Sequence, residues 1–135
     1  MGTLCDPHLE YKYTGILQKN IIIADAKPID SVIFTDCDEC QITLLSKIKH
    51  MQFINCRNIK LCISAGIICG LNIDNSADIF VNDDNEYTFN IDVYRSNSII
   101  FDTYGRYRIS VEYTQNTVMN NVILSITDYV IWECA

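Results

Sequence analysis

The sequence predicts an all-β fold, a β-solenoid in which short coils of chain stack on one another. Short, β-branched, alternating apolar runs recur along the chain and indicate strands. Three of these stretches align without gaps at a spacing of 19 residues. A step of that length holds two short strands and their turns but leaves no room for a helix. Coils stacked at ~4.8 Å then place equivalent residues in ladders.

The aligned repeat covers residues 29–37, 48–56 and 67–75. We expect its first and sixth positions to face inward and its last position to lie at a corner. Asn and Asp recur near these corners, where their side chains hydrogen-bond nearby backbone and tolerate the left-handed conformation, and the chain has 12 asparagines. The predicted ladders are Ile29/Ile48/Ile67 and Phe34/Phe53 inside, and Cys37/Cys56/Asn75 at the corner.

The remaining elements follow the same pattern. A second apolar run follows each copy, a looser fourth copy follows the third, and a partial copy precedes the first. Residues 20–105 are therefore predicted to form the coils, with residues 1–19 as a leading segment and residues 82–86 as an acidic loop between coils. The additional strands are predicted within residues 20–25, 42–44, 59–63, 79–81, 89–96 and 99–101.

The C-terminal part has a different pattern. Residues 106–113 alternate polar and apolar side chains, residues 114–117 carry a turn signal, and residues 118–126 read as a second strand. We expect these to form a β-hairpin after the last coil, where it covers an otherwise open strand edge. Because no glycine-serine linker divides the chain, residues 1–135 are predicted to be one domain, with residues 106–135 as hairpin and tail.

Composition excludes several classes of protein. The chain has 135 residues, 49% hydrophobic and 20% charged, which fits one globular domain. Its net charge of −7 argues against broad binding of nucleic acid or of an anionic membrane. No apolar run reaches the ~18–20 residues of a membrane span, and the first residues lack the basic and apolar regions of a signal peptide. We therefore expect a cytoplasmic protein without a membrane span.

The cysteines and the titratable side chains indicate no catalytic or metal site. Seven cysteines in a cytoplasmic chain are expected to be free, and one Cys-x-x-Cys pair with two histidines falls short of a zinc site. His50 has no nucleophile near it in sequence, and the acids Asp36, Asp38 and Glu39 fit a polar corner better than an acid/base pair. The sequence therefore predicts no catalytic residues, no metal, no cofactor and no enzymatic activity.

Basic residues cluster in one short stretch of this acidic chain. Lys47, Lys49, Arg57 and Lys60 fall within 14 residues, whereas residues 61–94 hold no Lys or Arg. If Lys47 and Lys49 lie on one coil and Arg57 and Lys60 lie on the next, the four side chains share one basic face. We expect that face to contact an acidic protein.

Several motifs resemble the C-terminal domain of the cyclase-associated proteins, a family that binds actin monomers. The resemblance covers roughly residues 10–126, and it is carried by the order and spacing of the motifs together with the 19-residue step. Departures are Gln115-Asn-Thr117 in place of the family's usual Lys-Ser-Ser and the lack of a match after Ile126. The motifs are Val32–Cys37, Ile42–Leu44, Lys47–Cys56 and Val118–Ile123.

The resemblance implies a right-handed parallel β-helix of about six short coils. It also implies a homodimer formed by exchange of the C-terminal hairpin. It further implies binding of actin monomers with faster exchange of their nucleotide, in the cytoplasm and in company with the severing factor cofilin. The late-strand residues Asn116, Thr117, Met119 and Asn120 are then candidate actin contacts by motif match.

The same coil pattern also resembles tubulin-folding cofactor C, whose relatives stimulate a GTPase with an arginine. Those proteins carry the arginine in a Gln-x-Arg motif, which this chain lacks. Arg57 and Arg95 are expected at corners and are the residues that this alternative would use. A polysaccharide-cleaving β-helix would be far longer and would show clustered carboxylates.

Overall fold

The computed structural model of the chain describes residues 9–64, 67–83, 89–103, 107–123 and 130–134. All regular structure in these residues is β-strand, with no helix among them. In chain order the strands are β1 (Glu10–Thr14), β2 (Asn20–Ile23), β3 (Ile29–Thr35), β4 (Asp38–Leu44), β5 (Lys47–Ile54), β6 (Arg57–Ile63), β7 (Ile67–Asp74), β8 (Ala77–Asp83), β9 (Phe89–Tyr94), β10 (Asn97–Thr103), β11 (Tyr107–Glu112), β12 (Gln115–Met119), β13 (Val122–Ile123) and β14 (Val130–Cys134).

The strands alternate between two seven-stranded sheets. Sheet A has the order β1-β3-β5-β7-β9-β11-β14, and sheet B has the order β13-β12-β10-β8-β6-β4-β2. Strands β1 to β12 stack in parallel, so successive pairs such as β1/β2 and β3/β4 form successive coils. The predicted β-solenoid is confirmed: its six successive strand pairs make about five complete turns.

The space between the two sheets is filled mainly by side chains from alternate residues of the strands, as the sequence predicted, although the first two buried residues of β3 and of β5 are three positions apart. Phe34 and Phe53 are fully buried and stack at 5.3 Å, which confirms that predicted ladder. Tyr13 extends the stack by one coil, with its ring 4.7 Å from that of Phe34 and inclined by 8°. The first coils are therefore packed around an aromatic column.

The predicted isoleucine ladder slips by one residue at its third member. Ile29 pairs with Ile48 as predicted, but Ile48 then pairs with Ile68, and Ile67 lies opposite Lys47. The step from β5 to β7 is 20 residues instead of 19, and a one-residue shift exchanges the two faces of a strand. Ile68 is accordingly the buried residue.

The step between stacked partners varies along the solenoid. It is 21, 19, 20, 20 and 18 residues in successive coils. Only the step from the second coil to the third has the predicted length. The inward ladder that defines these steps is Tyr13, Phe34, Phe53, Ile73, Val93 and Val111.

The predicted corner ladder is corrected in the same way. Cys37 and Cys56 occupy the buried corner position, but the next member is Ser76, whose hydroxyl accepts a hydrogen bond from the Cys56 amide at 3.1 Å. Asn75 instead stacks beside Asn55, to whose side-chain oxygen it donates a hydrogen bond. Ser96 and Thr114 continue the ladder beyond Ser76.

Each bend from sheet A to sheet B contains two residues with positive φ, separated by three positions. Most are Asp, Asn or Gly, as predicted for corners, although Arg95 (φ 50°) and Tyr113 (φ 51°) also adopt this conformation. The pairs are Gly15/Gln18, Asp36/Glu39, Asn55/Asn58, Asn75/Asp78, Arg95/Ser98 and Tyr113/Asn116.

Both ends of the chain differ from the prediction. Residues 10–23 form the first coil, since β1 pairs with β3 and β2 pairs with β4, so only earlier residues can precede it. At the other end, β11 and β12 lie in different sheets and form the last coil. They are not a hairpin, because Thr114 continues the buried corner and accepts a hydrogen bond from the Ser96 amide at 3.2 Å.

The hairpin lies one strand later. Strands β12 and β13 pair antiparallel through Asn120 and Asn121, both at positive φ, which is typical of a two-residue hairpin turn. Strand β14 pairs antiparallel with β11 at the edge of sheet A. In the predicted acidic loop, Asn82 and Asp83 end β8, and residues 84–86 lie outside the described residues. No helix in the described part of the chain is long and apolar enough to cross a membrane.

Candidate functional site

An open cleft of about 430 Å³ lies at the corner between the two sheets, and we call it the corner cleft. It extends from the third coil to the sixth, along one side of the solenoid. Its walls are the bends that carry the positive-φ residues. The residues that line it are Arg57, Asn75, Ser76, Ala77, Arg95, Ser96, Asn97, Tyr113 and Gln115.

The cleft exists because one corner ladder contains an alanine between larger side chains. Arg57, Ala77, Asn97 and Gln115 are successive register partners at the start of their strands in sheet B. A methyl group at Ala77 leaves a space beside Arg57 that a longer side chain would fill. Arg57 and Asn97 are both exposed and therefore form opposite walls of this space.

Arg95 is held in a fixed position on the rim. Its Nη2 contacts both carboxylate oxygens of Asp74 at 3.2 Å, and its Nε lies 3.3 Å from Oδ1. The guanidinium carbon also lies 4.9 Å from the centre of the Tyr94 ring, and that ring meets Tyr113 edge-on at 5.5 Å. The hydrogen bonds that Arg95 donates to Asp74 raise the pKa of Arg95, so the guanidinium stays charged.

The Arg57 guanidinium differs from that of Arg95 in having no hydrogen bond or ion pair with any residue that the structure describes. Its register partner on the other side is Asp38, but Asp38 Oδ1 accepts a hydrogen bond from Asn58 Nδ2 at 3.0 Å. The Arg57 guanidinium is therefore available to a ligand.

The other polar groups of the cleft include both donors and acceptors, because Asn75 donates its amide nitrogen to a neighbouring asparagine and keeps its oxygen. Asn97 Oδ1 accepts a hydrogen bond from Asn116 Nδ2 at 2.8 Å, so its amide nitrogen is the group left for a ligand. The hydroxyls of Ser76 and Ser96 are already committed to backbone groups. No acidic residue lines the cleft among the described residues. This arrangement suits the binding of an anionic group.

The predicted basic face is divided by the fold. Lys47 and Lys49 lie on β5 in sheet A, whereas Arg57 and Lys60 lie on β6 in sheet B. The prediction placed them on neighbouring coils that share a face, but β5 and β6 are consecutive strands of one coil. All four side chains are exposed, and Lys49 forms an ion pair with Asp30 at 3.1 Å. We call this set the basic belt.

Two of the four late-strand candidates are buried and cannot contact a partner in this arrangement. Thr117 is 0% exposed and Met119 is 1% exposed, because both occupy inward positions of β12. Asn116 and Asn120 are exposed. Asn120 Oδ1 accepts a hydrogen bond from the Thr103 amide at 2.8 Å and so fixes the end of β10.

The acids and histidine considered as catalytic candidates lie apart from the corner cleft. Glu39 accepts a hydrogen bond from Gln18 at 3.2 Å, and Asp38 accepts one from Asn58, so both belong to corner networks that link the first three coils. His50 is half-buried on the outer face of sheet A, beside Gly70. Among the described residues no three metal-ligating side chains converge.

Cys37, Cys40 and Cys56 are free thiols buried at or next to the corners, whereas the free thiols of Cys62 and Cys69 lie within strands, half-buried and exposed. Cys37 and Cys40, the Cys-x-x-Cys pair, are buried, and each thiol donates to a backbone carbonyl at 3.4–3.7 Å. Burial raises the pKa of Cys37, and it raises the pKa of Cys56 to about 12. These thiols are therefore unreactive core residues in the folded chain.

Sequence reasoning missed the cleft because it depends on register. Arg95 was identified only as a corner residue, and neither Ala77 nor Tyr113 was singled out. Once the 20-residue step is used, Arg95 aligns with Asn75, and Ala77 aligns with Arg57. The short side chain of Ala77, within a ladder of longer side chains, was the sequence feature that could have predicted the cleft.

Comparison with protein-family models and with curated proteins found no match. The resemblance to the cyclase-associated proteins thus rests on the motifs quoted above and stays a prediction.

Proposed function

We propose that this protein binds actin monomers and regulates filament turnover, either by promoting nucleotide exchange on the monomer or by sequestering it. The observation that carries the proposal is the basic belt. The coil with the longest stretch of resemblance, Lys47–Cys56 and the strand after it, presents four exposed cations on a chain of net charge −7. A rigid solenoid of this kind is suited to binding and presents its charges at fixed positions.

Exchange would follow from differential binding. A partner that prefers an open or nucleotide-free actin monomer increases the population of that state and so accelerates release of the nucleotide. The exposed residues Lys47, Lys49, Lys60, Asn116 and Asn120 are the proposed contacts, together with Arg57. In this proposal the protein has no catalytic residue and uses no cofactor, and it acts in the cytoplasm alongside a cofilin-type factor.

The test measures release of a fluorescent nucleotide from monomeric actin, together with a direct binding titration. We expect wild-type protein to bind, and the double variant Lys47→Glu/Lys49→Glu to bind at least tenfold more weakly because two attractive charges become repulsive. Lys12→Glu is the matched control, since Lys12 is exposed in sheet A but lies in the first coil. Absence of actin binding by the wild-type protein would refute the proposal. An equal loss of actin affinity in the control would show that the basic belt is not the contact surface.

Dimerisation is proposed as part of the same function, through exchange of the C-terminal strands between two copies. The antiparallel strands β13 and β14 at the sheet edges are the elements that would exchange. Light scattering at micromolar concentration tests this. A mass of about 31 kDa, twice the 15.5 kDa chain, is expected. A single-chain mass would show that these strands pair within their own solenoid.

The second candidate function is stimulation of a small GTPase, as in relatives of tubulin-folding cofactor C. The observation that favours it is Arg57, an exposed guanidinium in a cleft with no partner among the described residues. Such an arginine can neutralise charge that develops on a transferring phosphoryl group. A hydrolysis assay with candidate small GTPases tests it, and the same rate with Arg57→Ala would exclude Arg57 from that role.

A further inference from the structure

Several hydrogen-bond donors of the corner cleft are not used within the described part of the chain. The Arg57 guanidinium makes no hydrogen bond or ion pair there. Arg95 engages Asp74 through Nε and Nη2, which leaves Nη1 unused. Asn97 accepts a bond with its oxygen and retains its amide nitrogen. Unused donors that line one cleft favour a ligand that supplies acceptor oxygens.

The charge of the cleft identifies the ligand more closely. The Arg95 charge is shared with Asp74, so Arg57 provides the main uncompensated positive charge. A carboxylate carries one negative charge and matches the planar fork of a guanidinium, whereas a phosphate monoester carries about two at neutral pH. The charge balance therefore favours carboxylates over phosphate.

The dimensions of the cleft favour an extended chain. Arg57 and Arg95 lie two coils apart, which corresponds to ~10 Å along the solenoid axis at ~4.8 Å per coil. An extended peptide covers that axial distance in about three residues. The cleft is open along its length, so a chain can enter from the side. Tyr113 is 63% exposed and is fixed against Tyr94, so it presents a rigid aromatic surface beyond Arg95.

We propose that the corner cleft binds an extended acidic peptide segment of a partner protein. One carboxylate accepts hydrogen bonds from Arg57, and a backbone carbonyl about three residues along the segment accepts one from Arg95. The space above Ala77 holds the peptide backbone between them. This inference deepens the proposed function and depends on it only for the assumption that the ligand is a protein.

The test uses a rhodamine-labelled extended peptide with a single aspartate, and an otherwise identical peptide with asparagine in its place. Fluorescence anisotropy is expected to show binding of the aspartate peptide alone. Arg57→Gln should weaken binding about tenfold or more through loss of a charge-assisted contact. Ala77→Leu, which fills the cleft without changing its charge, should weaken it as well. Lys60→Gln is the control, because Lys60 is an exposed cation on the same strand that does not line the cleft.

Three results would overturn the inference: no binding of the aspartate peptide, an equal loss in Lys60→Gln, or no effect of Ala77→Leu. Displacement of the peptide by inorganic phosphate at lower concentration than by acetate would overturn the choice of carboxylate. Measurements of actin binding distinguish the two proposals. If actin binds wild-type and Arg57→Gln protein equally, the proposed function stands and the cleft is not its contact. If the peptide binds but actin does not, the proposed function fails and the cleft stands.

Discussion

Replacement of Thr117 by valine is expected to stabilise the fold. Thr117 is 0% exposed, and its hydroxyl has no hydrogen-bond partner among the described residues. Its register partner in the adjacent coil is Ile99, which stacks in turn on Ile79, so the ladder is otherwise apolar here. An unpaired buried hydroxyl costs about 1–3 kcal/mol, and valine replaces it with a methyl group of similar shape. We expect Thr117→Val to raise the free energy of unfolding by about 1–2 kcal/mol.

Urea denaturation followed by circular dichroism measures this change, and Thr114 supplies the matched control. The Thr114 hydroxyl is also buried, but it donates to the Glu112 carbonyl at 2.9 Å and accepts from the Ser96 amide at 3.2 Å. Thr114→Val should therefore lower the free energy of unfolding by about 1–3 kcal/mol. Destabilisation by Thr117→Val, or the same sign for both variants, would refute the reasoning. Thr117→Val should also leave any actin binding unchanged, because the side chain is buried.

Three further predictions concern the aromatic column, the thiols and one carboxyl group. Phe53→Ala should lower the free energy of unfolding by about 3–5 kcal/mol in the same urea assay, because it leaves a cavity between stacked coils. A thiol reagent at pH 8 should label the exposed Cys69 rapidly and the buried Cys56, whose pKa is raised to about 12, only after urea unfolding. The hydrogen bond from the Tyr11 hydroxyl lowers the pKa of Asp25 in the folded chain. The ionised carboxylate therefore stabilises the fold above the ordinary carboxyl pKa, and this stabilisation is lost as the pH falls through the lowered pKa of the folded chain. Tyr11→Phe should raise the Asp25 pKa in an NMR titration.

The strands and their buried faces were predictable because alternation with a period of two is a local property. Phe34 and Phe53 show this, since each lies inward in its own strand and both share the 19-residue step. Register across more distant coils was not predictable in the same way. The third copy also begins with two isoleucines, Ile67 and Ile68, and local pattern does not distinguish them. Their register is seen only in the pairing of β7 with β5.

The incorrect prediction of a hairpin between residues 106–113 and 118–126 has a related cause. Residues 114–117 carry polar side chains that are common both in hairpin turns and in solenoid corners. Their conformation is decided by whether a coil already lies beneath them. Thr114 closes a corner because the Ser96 amide in the coil below needs an acceptor, and no property of the segment itself reveals that amide. The corner cleft was missed for the same reason, since its walls belong to four different coils.

The change of residue type along the buried corner explains why the cleft has a rigid floor. In the early coils the position holds Cys37 and Cys56, whose thiols make long contacts with carbonyls. From the fourth coil onward it holds hydroxyl side chains, those of Ser76, Ser96 and Thr114. Each donates to the carbonyl two residues earlier at 2.9 Å and accepts from the amide of the preceding coil at 3.1–3.2 Å.

A hydroxyl that both donates and accepts links each coil to the next and fixes the two backbones at the corner. These linked corners are the segments that carry Arg95 and Tyr113 and that lie behind Ala77. Both Arg95 and Tyr113 adopt a left-handed backbone conformation that costs about 1–2 kcal/mol for a residue with a side chain, and the hydroxyl ladder stabilises the bends that require it. The hydrogen bonds that close the solenoid therefore also fix the backbone that carries the cleft, so that little backbone entropy remains to be lost when a ligand binds.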